Sequence, residues 1–165
     1  METLENMTHH QVYDRSSRNC VMLHDMNGLG PIPVLQVPNA TDMHYASVWN
    51  NTANLQAHID QLNKKIFDVI LSSENFKNWN INWQHIIGFH VFCYSFEDFE
   101  RTFARPHFLK ERVQQIMTEP DLDKGLLELG IQYCRFMMEE FKDDVELVKL
   151  IRQHGRILCE HLARY

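Results

Sequence analysis

The apolar positions of this 165-residue chain change their spacing along its length. Residues 1–45 hold no sustained period: Gly28, Gly30, Pro31, Pro33 and Pro38 fall among Asn, Asp, Ser and His, which reads as an irregular or flexible N-terminal arm. Val34–Val37 is the one short run there suited to extended backbone. From Ala46 the pattern turns helical. Leu55, Ile59, Leu62, Ile66 and Val69 recur at steps of four and three, predicting an amphipathic helix of roughly six turns. Between Asn82 and Arg105 the pattern differs in kind, because Ile86, Ile87, Phe89, Val91, Phe92, Cys93, Tyr94 and Phe96 surround a helical wheel. A helix apolar on all sides is enclosed by others, so this segment reads as a central helix that Pro106 stops. Phe108–Met117, Leu122–Phe141 and Val145–Tyr165 read as three further helices, with Pro120 and Asp121 opening the second and Asp143 and Asp144 the third. The fold expected is all-α: one domain over residues 46–165, a bundle of about five to seven helices around a central hydrophobic helix.

Composition narrows the function classes. An apolar fraction of 44% with 23% charged residues is that of a folding chain, not of a disordered one. A net charge of −6 argues against nucleic acid as a partner, since phosphate binding needs a concentrated basic face. Lys149, Arg152, Arg156 and Arg164 alternate with Glu146 and Glu160, the pattern of a solvated helix face. The first ten residues carry two acids and no apolar run, and no stretch approaches the roughly 18–20 apolar residues of a membrane span. A cytoplasmic chain without a transmembrane segment is expected. Cys20, Cys93, Cys134 and Cys159 are widely spaced and read as reduced thiols.

Catalytic and metal signals are sparse. Ligands sharing a helix face need separations of three or four residues, but His85 and His90 are five apart and His154 and His161 seven. The chain has no Gly-x-Ser-x-Gly elbow and no Gly-rich phosphate loop, and the acids Glu139, Glu140, Asp143 and Asp144 read as solvated surface. A protein without enzymatic activity or cofactor is expected. His90, on the aromatic segment, is the candidate ligand if the domain is instead a haem carrier.

The run Asn82-Trp83-Gln84-His85-Ile86-Ile87-Gly88-Phe89-His90-Val91-Phe92, preceded by Phe76 and Ile81, resembles the first homology motif of the Bcl-2 family. Asn82, Trp83, Ile86, Ile87, Gly88 and Phe89 match in order, whereas Gln84 and His85 replace the motif's Gly and Arg. The resemblance implies a Bcl-2-like fold whose hydrophobic groove receives an amphipathic helix of a partner protein, in regulation of apoptosis or a related signal. Partner-binding residues would be Asn82, Trp83, His85, Ile86, Gly88 and Phe89. A helical assembly subunit forming a homo-oligomer is the alternative.

Overall fold

The computed structural model describes residues 9–25, 44–62, 65–79, 84–104 and 110–165, and of residues 9–11 the backbone alone. Five strands, β1 (Arg18–Leu23), β2 (Ala46–Trp49), β3 (Ile66–Ser72), β4 (Ile86–Phe92) and β5 (Val113–Met117), form one sheet in the order β2-β1-β3-β4-β5. Every neighbouring pair is parallel. The helices are α1 (His9–Asp14), α2 (Thr52–Gln61), α3 (Ser73–Lys77), α4 (Phe96–Phe103), α5 (Leu122–Glu140) and α6 (Val145–Leu162).

The chain is therefore an α/β domain, and the all-α bundle with its central hydrophobic helix is overturned by the parallel sheet. The physical reason lies in how a parallel strand reads. Covered on both faces, it presents a nearly continuous apolar run, which on a helical wheel fills every side. Ile86–Phe92 is such a run, only seven residues long and rich in β-branched and aromatic side chains. The six-turn helix expected from Leu55 to Val69 is α2 followed by β3; Leu55 and Ile59 lie on the helix, Ile66 and Val69 on the strand. Val113–Met117, expected as helix, is the edge strand β5. Residues 9–25, read as part of an irregular arm, supply α1 and β1, and β1 lies inside the sheet between β2 and β3. Val34–Val37 lies outside the described residues. The Bcl-2-like architecture implied by Asn82–Phe92 is not the architecture of this chain.

The long helices follow the sequence pattern. On α5, Leu122, Leu126, Leu129, Tyr133 and Met137 form one buried stripe, and on α6 Leu147, Ile151, His154 and Leu158 do the same. Asp144 caps α6, its side chain accepting from the Leu147 backbone N–H at 3.1 Å. Two cores result, one on each face of the sheet. Leu55 and Ile59 of α2, with Phe76 and Trp79, pack on Val21, Phe67, Val69, Leu71, Phe89 and Val91; Phe99 and Phe103 of α4 flank them. On the opposite face α1, α5 and α6 cover Cys20, Met22, Ala46, Ile70, Phe92 and Met117.

One charged network lies under α5. Asp68 on β3, with a fully buried side chain, accepts from Arg18 Nε at 2.6 Å and Arg18 Nη2 at 3.1 Å, and from the Tyr133 hydroxyl. His90 Nε2 is 3.1 Å from Asp68 Oδ1, and His90 Nδ1 is 2.9 Å from Gln115 Oε1. Register shifts at Phe67/Asp68 and Phe89/His90 fall beside these side chains, as bulges do where a strand must re-aim one.

Candidate functional site

Doubly wound parallel sheets bind ligands outside the carboxyl ends of their strands, where successive connections leave for opposite faces. In this sheet the reversal lies between β1 and β3: the chain leaves β1 for β2 on one side, then returns past β1 to β3 and proceeds to β4 and β5. Each of these strands ends by passing from apolar to polar residues. β1 is followed by His24 and Asp25, β3 runs into Ser72 and Ser73, and β4 is followed by Cys93, Tyr94 and Ser95.

These loops are tied into one polar rim. Asp25 and Asn75 exchange bonds, the Asp25 backbone N–H donating to Asn75 Oδ1 at 3.3 Å and Asn75 Nδ2 donating to the Asp25 carbonyl at 3.4 Å. Asp25 Oδ2 also accepts from the Thr52 backbone N–H at 3.0 Å and its hydroxyl at 2.5 Å. Ser72 caps α3, accepting from the Asn75 N–H, and Ser95 caps α4, accepting from the Asp98 N–H at 3.1 Å. Asp98, buried behind this rim, accepts from Ser73 Oγ at 2.6 Å and from the Tyr94 N–H at 2.9 Å, with Lys77 Nζ at 3.7 Å. The segment after β4 also carries two exposed aromatic rings, Tyr94, 36% accessible and edge-on to Phe92, and Phe96, 68% accessible and stacked on Phe99.

The electrostatics fix the protonation of the rim. Burial alone would raise the Asp98 carboxyl, but the bonds from Ser73 and Tyr94 and the Lys77 charge hold it below its ordinary value of 3.8. Burial lowers the His24 imidazole below its ordinary value of 6.5. Burial, helped by the Asp98 charge, pushes the Cys93 thiol up to about 12. The edge thus offers fixed donors and acceptors. Free helix N-termini attract phosphate, but here the Asp25 carboxylate already sits on the first N–H of α2, and Ser72 and Ser95 occupy the starts of α3 and α4. With Asp25, Glu74 and Asp98 against Lys77, the rim disfavours anions.

The residues singled out from the sequence lie elsewhere. Asn82 and Trp83 are outside the described residues. His85 is half-buried in the turn before β4, its carbonyl accepting from the Phe67 N–H at 2.8 Å. Ile86 and Phe89 belong to the core under α2 and α3, Phe89 meeting the rings of Phe76 and Trp79 edge-on. Gly88 faces Asp68 on the other side of the sheet. The sheet thus sets Ile86 and Phe89 on one face and turns Gly88 toward Asp68 on the other, the register shift beside Asp68 falling between Ile86 and Gly88, and the helical groove in which they would share one surface is absent from the described residues. His90, the candidate haem ligand, has both ring nitrogens engaged by Asp68 and Gln115. Among the described residues no group of three or more His, Cys, Asp and Glu could hold a metal ion, and no helix is long and apolar enough to cross a membrane.

The rim residues Asp25, Thr52, Ser73, Asn75 and Asp98 were missed because they are remote in sequence and meet only through the strand order. A local signal did exist: Ser72-Ser73-Glu74-Asn75 and Ser95-Phe96-Glu97-Asp98 each follow an apolar run with an N-cap residue and a polar residue three positions on. No family model, curated protein or solved structure matches this chain.

Proposed function

We propose that this chain is a binding domain for an uncharged, hydroxyl-rich small molecule, seated at the carboxyl edge of β1, β3 and β4. The observation that carries this reading is the linked rim of Asp25, Asn75, Ser73 and Asp98 at the topological reversal, flanked by the exposed rings of Tyr94 and Phe96. Carboxylate and amide groups suit hydroxyl donors and acceptors, and an exposed ring suits the apolar face of a sugar-like molecule. Phosphorylated ligands are disfavoured, because side chains fill the helix N-termini that would receive them. Binding is favoured over nucleophilic catalysis by the state of the candidate nucleophiles: Ser73 donates to an acceptor held ionised, and Cys93 is held as the thiol.

The test is a thermal-shift and calorimetric panel on the full chain, using neutral mono- and oligosaccharides beside their phosphorylated counterparts. Neutral members should raise Tm with concentration and phosphorylated ones should not. Phe96→Ala and Asp25→Asn should each weaken binding by about tenfold or more, about 1.4 kcal/mol. Preference for the phosphorylated members, or binding indifferent to both substitutions, would refute the proposal.

A further inference from the structure

Far from the carboxyl edge, α5 and α6 form a hairpin whose outer side holds an open groove of about 380 Å³. The helices run antiparallel: a Cβ on Gly130 would lie 2.9 Å from Leu158 Cδ1, and one on Gly155 would lie 3.5 Å from Cys134 Cβ. These close approaches leave a shallow trough floored by Ile131, Cys134, Met138 and Gly155. Ile131, Cys134 and Met138 recur at steps of three and four on α5, so the floor is one apolar stripe about two helical turns long.

The rim of this trough is cationic. Arg135 of α5 and Arg152 and Arg156 of α6 line it with a single acid, Glu160, on a chain whose net charge is −6. Among the described residues none of the three arginines makes an ion pair, although Arg18, Lys77 and Lys142 all do. Arg152 and Arg156, exposed and one turn apart on α6, stand together with Arg135 beside an apolar floor, so the solvated face of α6 borders the trough.

We infer that this groove is a docking site for an acidic amphipathic helix of a partner protein. A trough between two antiparallel helices is the shape that receives a third by ridge-into-groove packing. Its small side chains, Cys134, Gly155 and Cys159, let another backbone approach closely. The arginines are spread along the trough, which matches carboxylates one turn apart on the flank of a helix and pairs them with a planar, two-pronged donor. An apolar stripe of the partner would cover Ile131 and Met138.

The experiment is selection from a library of helical peptides with a fixed leucine stripe and randomised flanks, displayed against the full chain and against an Arg152→Glu/Arg156→Glu variant. Both substitutions lie on the exposed face of α6, and circular dichroism with thermal melting checks that the variant folds. Expected are enrichment of Glu and Asp on one flank by the natural chain, inversion to Lys and Arg by the variant, and binding of the winning peptide at least tenfold weaker to the variant. Its affinity should also fall as salt rises. Enrichment blind to charge, the same winners from both chains, no enrichment from either, or self-association through this face in light scattering that blocks peptide binding would each overturn the inference.

Discussion

Arg18 at the start of β1 grips Asp68 on β3 at two points, Nε to Oδ2 at 2.6 Å and Nη2 to Oδ1 at 3.1 Å, across the strand pair that flanks the topological reversal. His90 and Tyr133 complete the coordination of the same carboxylate, so β1, β3, β4 and α5 share one buried anchor. Removing the carboxylate leaves Arg18, His90 and Tyr133 facing one another without their common acceptor. Asp68→Ala should therefore cost about 3–5 kcal/mol in urea unfolding, as breaking one side of a buried pair does. A loss within about 0.5 kcal/mol would mean that the network adds nothing to stability.

The acid limb of stability should carry the signature of two carboxylates. Burial alone would raise Asp68, but hydrogen bonds from His90, Arg18 and Tyr133 and the His90 charge hold it below 3.8; Asp98 is held down in the same direction. With native values below the unfolded ones, the unfolded chain binds protons first as pH falls. The associated stability is complete above about pH 5 and lost as pH drops through 3.8 and through the native values below it. Urea midpoints measured from pH 6 to pH 2 should fall along this limb. In Asp68→Asn, less stable at pH 6, the fall should be shallower; a parallel fall in the variant would remove Asp68 from the cause.

Gly88 is the register partner of Asp68 on the neighbouring strand. A Cβ there would stand 2.5 Å from Gln114 Cγ and 3.1 Å from Asp68 Oδ1. Gly88→Ala should cost about 1–3 kcal/mol through overpacking. Adding Gln114→Ala, which removes the nearest atom, should recover part of it. Calorimetric melting of the single and double variants reads this coupling directly, and additive effects would count against the contact.

Thiol reactivity should divide the four cysteines one against three. Cys20, Cys93 and Cys134 are buried, and burial raises all three thiols, whereas Cys159 is exposed on α6. Titration with a chromogenic disulfide should find one fast thiol in the native chain and four after unfolding in guanidinium. Cys159→Ser should abolish the fast phase. Two or more fast native thiols would show that the helical layer opens more readily than its packing implies.

Legibility from sequence followed the length of each element and the sidedness of its burial. α5 and α6 could be read because each buries a single stripe over eighteen or more residues and α6 opens on the Asp144 cap. β3 and β4 could not, because strands covered on both faces give no alternation. Over seven residues, Ile86-Ile87-Gly88-Phe89-His90-Val91-Phe92 also fits the interior of a helix. The β-branched Ile86, Ile87 and Val91, with Gly88 in their midst, are the local evidence for a strand. Read as a helix, that run places Ile86, Gly88 and Phe89 near one surface at the amino end of β4, whereas the sheet sets Ile86 and Phe89 on one face and Gly88 on the other. The rim at the other edge stayed hidden, since nothing in the linear sequence brings Asp25 to Asn75 or Ser73 to Asp98 before the strand order is known.

Chemical-shift mapping of the isotope-labelled chain, titrated with the neutral saccharide that stabilises it most, tests the carboxyl-edge site most directly. The expected result is perturbation concentrated at His24, Asp25, Thr52, Ser73, Asn75 and Phe96, lost in Asp25→Asn, with α5 and α6 unmoved. Perturbations clustered at His85–Phe89, or no saturable perturbation with any member of the panel, would contradict a ligand site at the ends of β1 and β3.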